Sequence, residues 1–578
     1  MRRTISLGGK WRFRVDSLDM GVRERWFSAP FDDSRWWRVP VPEALDSYHQ
    51  DLRGYDGPAW FRRPFRLSGP APRIALLRFD GAGHTASVWL NGQRIGEHEG
   101  SYCPFAFRVE RALRRGTNLL SIRIRNVLTP SSLPKLRSDW WKFAGITRPV
   151  RLVASADPLV WRATALVHER GGRVMVTVPG RILNAGGAVQ ARVKASVRPV
   201  SGGKALARAQ FRQLKLGPRR ETGFSLEIPA DDLPRWEPRR PRLLNLSVVL
   251  RGRDGRALDR VDLRFGVRTL YWKGGKLLLN GKPVWLRGVN RMDEHPDWTC
   301  AFTRKNLSPL LNDIQKGLHG NFLRASHYPH HPLVPGMLDE RGMMMLAEIP
   351  EYQNEEEPHS TPEGKRMLEE LFWRDAHHPC VVIWSVGNER EPQKPAIARG
   401  ILRLIRHMKS LDSSRPVSCV SNTFPNDPTL PECDVLCLNE YFGFWRGTPA
   451  LTTAGLGRTG RELSAALDDM HRRLPRKPIV VTEFGVQAFP FHDELYGSED
   501  WQARQMETHI RAFMARPYVQ GCAVWSHQDT RLAGNQGYPT YQLGTRLLEN
   551  FGLLTLDGRR RPSWFAVSRL YRKISGRD

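Results

Sequence analysis

Two short runs carry residues that can do acid–base chemistry together. They are Val381-Val382-Ile383-Trp384-Ser385-Val386-Gly387-Asn388-Glu389 and Pro478-Ile479-Val480-Val481-Thr482-Glu483-Phe484-Gly485. Each is an apolar, β-type stretch that leads abruptly to a glutamate. A carboxylate at the end of a buried strand is costly unless it has a partner or a task. Taken singly, each glutamate also reads as a structural residue paired with an arginine. Taken together, on separate strands of one sheet, they are what glycosidic-bond cleavage needs: one proton donor and one nucleophile or base. Retention requires carboxyls ~5–5.5 Å apart and inversion ~6.5–9.5 Å, and spacing along the chain leaves both open.

The flanking residues fit the same chemistry. Asn388 precedes Glu389 and can hold a sugar hydroxyl while the glutamate reaches the glycosidic oxygen. In Leu323-Arg324-Ala325-Ser326-His327-Tyr328-Pro329, Arg324 can keep a neighbouring carboxylate ionised, and His327 can bind a hydroxyl. His330 and His331 follow, which raises a metal site as the rival reading. These histidines crowd one loop without the i, i+4 helical spacing of a ligand pair, and no cysteine is near. In Asn439-Glu440-Tyr441-Phe442, Asn439 joins the substrate-binding candidates and Tyr441 can donate to the nucleophile. Trp525 offers a stacking floor for the apolar face of a pyranose. For Tyr441 and Trp525, plain packing is an equal reading of spacing alone.

These residues require a scaffold that gathers strand ends. From about residue 268 to 578, eight β-type runs alternate with amphipathic stretches. The runs span 284–290, 321–327, 343–349, 380–389, 417–422, 434–441, 478–484 and 521–525; the helical candidates include 306–316, 362–372, 394–408 and 461–473. That alternation predicts a (β/α)8 TIM barrel, with the active site at the C-terminal strand ends. Glu389 then closes the fourth strand and Glu483 the seventh. Residues 1–155 read as all-β, with Asn91-Gly92 marking a type I′ hairpin and many aromatics suited to a sandwich core. Residues 156–267 repeat the all-β pattern at the size of one immunoglobulin-like β-sandwich and hold no catalytic constellation.

Composition narrows the class further. The 578 residues, 40% hydrophobic and 26% charged, describe a multidomain globular protein. No apolar run approaches the ~20 residues of a membrane span. The first residues lack the apolar core of a signal peptide, and seven scattered cysteines show no zinc or disulfide spacing; a cytoplasmic location is expected. The net charge of +30 raises nucleic acid as a partner. The excess is spread along the chain, and its small clusters sit beside proline or glycine, so solvated loops are expected instead. Neither nucleic acid nor membrane is an expected partner. The acidic run Glu355-Glu356-Glu357 follows the third run, and a solvated loop is expected there too.

At this point the chain resembles glycoside hydrolase family 2, the family of β-galactosidases, β-glucuronidases and β-mannosidases. Gly9-Lys10-Trp11-Arg12-Phe13 is similar to the start of that family's sugar-binding jelly roll, and Asp139-Trp140-Trp141-Lys142-Phe143-Ala144-Gly145-Ile146-Thr147-Arg148 to a motif late in it. Gly288-Val289-Asn290-Arg291, the Arg324 to Pro329 run, Asp339-Glu340-Arg341-Gly342, the Trp384 to Glu389 run and Thr482-Glu483-Phe484-Gly485 follow in the family's order. The resemblance implies an N-terminal jelly roll, an immunoglobulin-like sandwich and a C-terminal barrel, and a retaining exo-β-glycosidase. It makes Glu389 the acid/base and Glu483 the nucleophile. Asn388, Arg324, His327, Tyr441 and Trp525 fall on substrate or supporting positions, and Asp139 on an aspartate that reaches into the barrel mouth. It implies no metal or organic cofactor, a glycoside or oligosaccharide substrate, and a homo-oligomer.

The layout is most similar to that of β-glucuronidases, with one departure. Their uronate-binding Asn-x-Lys motif corresponds to Asn550-Phe551-Gly552, with Gly552 in the lysine's place. Arg546 is the nearby cation that can substitute. A uronide is the leading substrate reading. A neutral β-galactoside and a non-catalytic carbohydrate-binding protein are the alternatives.

Overall fold

The computed structural model describes the chain except residues 1, 70, 130–131, 135–137, 296, 298, 354–359, 490–495, 533–540, 544–545 and 577–578; the side chains of 360, 541–543 and 546–547 also lie outside the description. Its centre is a closed barrel of eight parallel strands that pair in chain order, the first with the eighth. The strands are Leu286–Arg291, Phe322–Ala325, Met344–Glu348, Val381–Asn388, Val417–Ser421, Leu436–Asn439, Ile479–Glu483 and Val519–Val524. Every residue of these strands is buried. Helices cover the outer face of a parallel barrel and side chains fill its interior, so the strands read as near-continuous apolar runs rather than as alternation. The four expected helices are present as Arg304–Asn312, Ser360–Asp375, Pro395–Leu411 and Thr453–Arg473. Leu333–Arg341, Glu499–Met514 and Pro562–Ser575 join them in the outer ring.

The N-terminal region is a sandwich of a four-stranded and a six-stranded antiparallel sheet. Its edge strand Arg3–Ser6 pairs with Val150–Ser155, which brings the two ends of the domain together. Asn91 and Gly92 take φ of 53° and 84° between the strands Thr85–Leu90 and Gln93–Glu99, as a type I′ turn requires. A second sandwich follows, from Leu159–Ala163 to Ala257–Phe265. In Arg173–Leu183 and Val189–Pro199 buried residues alternate with more exposed ones, the signature of strands with one face on a core.

The jelly roll lies against the barrel mouth. Arg148 donates to the Pro329 carbonyl at 2.8 Å, and Tyr102 stacks on Tyr328 with ring centroids 4.1 Å apart. This seam delivers Asp139 to the ends of the barrel strands.

Candidate active site

A cavity of about 510 Å³ opens at the C-terminal ends of the barrel strands. Its lining includes Glu389, Glu483, Asp139, His327, Asn439, Tyr441 and Trp525. Arg324 and Asn388 lie directly beneath, hydrogen-bonded to lining residues. The structure thus brings together every candidate whose side chain it describes, which leaves Arg546 untested. That residue falls in the strand Arg546–Glu549, but its side chain lies outside the described residues, as does the whole Glu355-Glu356-Glu357 run.

Glu483 ends the seventh strand and is 3% exposed. Tyr441 donates its hydroxyl to Oε2 at 2.7 Å, and Arg324 donates to Oε1. Behind it, an ideal Cβ on Gly485 would stand 2.2 Å from the Trp525 carbonyl oxygen. Only a residue without a side chain lets the end of the eighth strand pass this close to the strand that carries Glu483.

Glu389 follows the fourth strand at φ 48°. The left-handed region costs a non-glycine residue on the order of 1–3 kcal/mol, so surrounding contacts must hold it there. Asn439 Nδ2 donates to its Oε1 at 2.7 Å and Gln353 Nε2 to its Oε2 at 3.0 Å. The same Asn439 amide reaches Asn388 Oδ1 at 3.1 Å, and Arg324 reaches that oxygen at 2.8 Å. Glu389 and Glu483 are therefore linked through Asn439, Asn388 and Arg324 in one buried network.

Burial raises both carboxyls; it lifts Glu483 to about 8 against Arg324 and Tyr441, with the Glu389 charge adding to the rise, and it lifts Glu389 against Asn439 and Gln353. Two coupled acids of this kind titrate as a pair, with one proton retained after the other has left. The donors decide where that proton rests. Glu483 faces a guanidinium and a phenol, which favour the carboxylate. Among the described residues, the donors to Glu389 are two amides, and Arg324 acts on it by its charge without a hydrogen bond. The geometry puts the charge on Glu483 and the proton on Glu389.

Arg324 has a second carboxylate, Glu348, whose two oxygens both lie 3.0 Å from Nη2. Burial opposes ionisation of Glu348, yet Arg324 and His327 outweigh it and hold the carboxyl at about 2. His327 Nδ1 lies 3.0 Å from Glu348 Oε1. An ionised carboxylate only accepts, so Nδ1 carries the proton. Burial and the Arg324 charge push His327 down to about 4 against the pull of Glu348. It is a neutral imidazole whose Nε2 is left as an acceptor. Its ring stacks on Trp525, centroids 5.1 Å apart.

One part of the wall comes from the jelly roll. Asp139 accepts a hydrogen bond from Tyr352. Burial raises the Asp139 carboxyl to about 6, with Tyr352 opposing and Glu389 adding to the rise. Glu549 lines the cavity near it, accepts from Trp525 Nε1 at 3.2 Å, and is raised by burial and by Asp139.

Glu348, Tyr352, Gln353, Trp445, Arg446 and Glu549 are site residues that the sequence reading does not contain. Glu348 had a signal: it ends an apolar run just as Glu389 and Glu483 do. Glu549 ends the short strand Arg546–Glu549, and the others sit on loops or short connections. His330 and His331 pack away from the cavity, against Asp293: the His331 amide bonds Asp293 Oδ2 at 2.7 Å and His330 Nε2 contacts the Ser326 carbonyl at 3.2 Å.

A parallel barrel with two linked glutamates at its mouth, flanked by polar side chains and a tryptophan, has the groups that glycoside hydrolysis needs. Residues 4–156 match the sugar-binding domain of glycosyl hydrolases family 2 and residues 271–575 match its TIM barrel domain. The chain belongs to glycosyl hydrolases family 2 and is a glycoside hydrolase. It is 28% identical to the β-glucuronidase of Homo sapiens, over 99% of this chain and 91% of that one, and 25% identical to that of Paenibacillus borealis, over 93% of each. Among solved structures, a β-galacturonidase from Eisenbergiella tayi bound to galacturonate superposes with a TM-score of 0.85 at 24% identity, covering 99% of this chain and 97% of that one. A β-glucuronidase from Ruminococcus gnavus in complex with D-glucuronic acid gives 0.85 at 22%, covering 99% and 98%.

Proposed function

We propose that this protein is a retaining exo-β-uronidase that releases a terminal β-linked hexuronic acid, with β-glucuronides its primary substrates. The observation that carries the catalytic assignment is the unequal donor set around the two linked glutamates. Protonated Glu389 gives its proton to the glycosidic oxygen while ionised Glu483 attacks the anomeric carbon, so the aglycone leaves as the alcohol and a glycosyl ester forms. Glu389, now charged, takes a proton from water. The hydroxide equivalent displaces Glu483 and returns the starting protonation state. Neutral His327 accepts from a sugar hydroxyl through Nε2, and Asp139 accepts from another. Trp525 supplies the apolar floor. The near full-length similarity to β-glucuronidases supports the uronide reading.

The test is initial rates on p-nitrophenyl β-D-glucuronide, β-D-galacturonide and β-D-galactoside, with Glu483→Gln as the blank. A uronide preference and a dead variant are expected. A preference for the galactoside would overturn the uronide reading. Hydrolysis that survives Glu483→Gln at the original rate would overturn the nucleophile.

A further inference from the structure

A uronidase must neutralise a carboxylate, yet the place where β-glucuronidases carry a lysine is closed here. An ideal Cβ on Gly552 would stand 2.2 Å from the Leu554 carbonyl oxygen and 2.3 Å from the Asp529 amide nitrogen. Backbone fills the volume that a side chain would need, so no ordinary substitution restores a cation at this point.

Among the described residues that line the cavity, the arginine is Arg446 and the acids are Asp139, Glu389, Glu483 and Glu549. Arg446 sits on the turn after the sixth strand. The amides of Phe444, Trp445 and Arg446 all point at the Tyr441 carbonyl, at 3.1, 3.1 and 3.0 Å. Tyr441 itself holds Glu483. The turn is therefore fixed relative to the nucleophile, as a specificity group must be if the sugar is to bind in one pose.

The guanidinium is half-buried. It lies over the Phe424 ring at 4.1 Å and the Phe442 ring at 5.1 Å, and it donates to the carbonyls of Phe424 and, at 3.4 Å, Asn422. An arginine has five N–H donors, more than these two bonds use, and Arg446 lines the cavity. No carboxylate of the described residues lies within ion-pair distance of it, and the charge acting on it is that of Glu440, outside the cavity. A partly desolvated cation without an anionic partner is unfavourable by itself and becomes favourable when an anion arrives. Asp139 and Glu549, which line the same cavity, are acids and offer a carboxylate no counterion, so Arg446 is the lining group of opposite charge.

From these contacts we infer that Arg446 binds the C6 carboxylate of the substrate and sets the preference for uronides. This assignment rests on the uronidase reading above. The experiment measures kcat/KM on p-nitrophenyl β-D-glucuronide, β-D-galacturonide and β-D-galactoside for the intact protein, Arg446→Leu and Arg446→Lys. The uronide-to-galactoside ratio is expected to fall by about 100-fold or more in Arg446→Leu, mostly through KM, and by less in Arg446→Lys, which keeps the charge. If the intact protein shows no uronide preference, the uronidase reading fails and the assignment with it. If it prefers uronides and the ratio survives Arg446→Leu, the assignment alone is overturned. A variant that loses all three substrates equally also overturns it, because Arg446 then only braces its turn.

Discussion

Tyr352 of the barrel donates its hydroxyl to Asp139 of the jelly roll, so the wall of the sugar cavity is closed by a contact between two domains. The contact makes the jelly roll part of the active site rather than an accessory to it, and it gives the site its own pH signature.

Burial raises Asp139 from 3.8 to about 6. Between those values the folded protein holds a proton that the unfolded chain has released, so stability falls as pH rises through this window and stays lower above it. Asp139→Asn cannot ionise and escapes that loss. It is expected to be more stable than the parent at pH 7.5, by up to about 3 kcal/mol, with the two converging near pH 4. Thermal unfolding at both pH values checks this. The same variant loses a charged acceptor for a sugar hydroxyl, and its kcat/KM at pH 7.5 should fall by about 10–100-fold.

The proton on Glu389 matters only when the leaving group needs it. Glu389→Gln should slow alkyl or carbohydrate aglycones by roughly 10²–10⁴-fold, yet slow 2,4-dinitrophenyl glycosides far less in the first step, because that phenolate leaves unaided. The second step still needs a base, so a burst of dinitrophenolate followed by slow turnover is expected. Stopped-flow absorbance reads both phases. Equal losses for good and poor leaving groups would place the acid elsewhere.

Glu348 is the buried counterion of Arg324, held at about 2 against an ordinary 4.5. For a depressed carboxyl the sign is opposite to that of Asp139. Its contribution is present above the unfolded value and is lost as pH falls from 4.5 toward 2. Glu348→Gln should therefore cost about 3 kcal/mol at pH 7, with the difference from the parent shrinking as the solution is acidified below 4.5. It also replaces an acceptor-only carboxylate with an amide that presents one acceptor and one donor, which loosens the hold on the His327 tautomer, so KM should rise with the loss of stability. Chemical unfolding at pH 7 and pH 4, with kinetics at pH 7, separates the two effects.

The barrel was legible because parallel strands buried on both faces leave uninterrupted apolar runs. All eight runs overlap observed strands, and the two glutamates that close the fourth and seventh were visible for the same reason. Glu348 gave the same signal, but alone it could not be told from a structural residue. Helix Leu333–Arg341 has no readable period: Pro335 and Gly336 lie inside its first turns, and burial rather than propensity holds it. Tyr352, Trp445 and Arg446 were illegible because loops and short connections place them, and no periodicity encodes a loop's path; Glu549 ends a strand too short to show a period. Asp139 sits on a loop too, and family resemblance alone pointed to it.

Gly552 offers the sharpest contrast between a motif and a structure. By sequence, Gly552→Lys restores the Asn-x-Lys pattern and should sharpen glucuronide binding. By geometry, the new Cβ collides with the backbone of Leu554 and Asp529 at 2.2 and 2.3 Å, and main chain cannot swing away as a flexible side chain can. Asp529 is in turn locked by Arg561 at 2.7 and 2.8 Å, so relief would have to disturb a buried ion pair. The variant is expected to lose more than about 2 kcal/mol of stability and to gain no glucuronidase activity. Thermal unfolding and kcat/KM on p-nitrophenyl β-D-glucuronide decide between the two. A stable, more active lysine variant would mean that this segment can move aside, and would take from Arg446 its standing as the cation that replaces the motif.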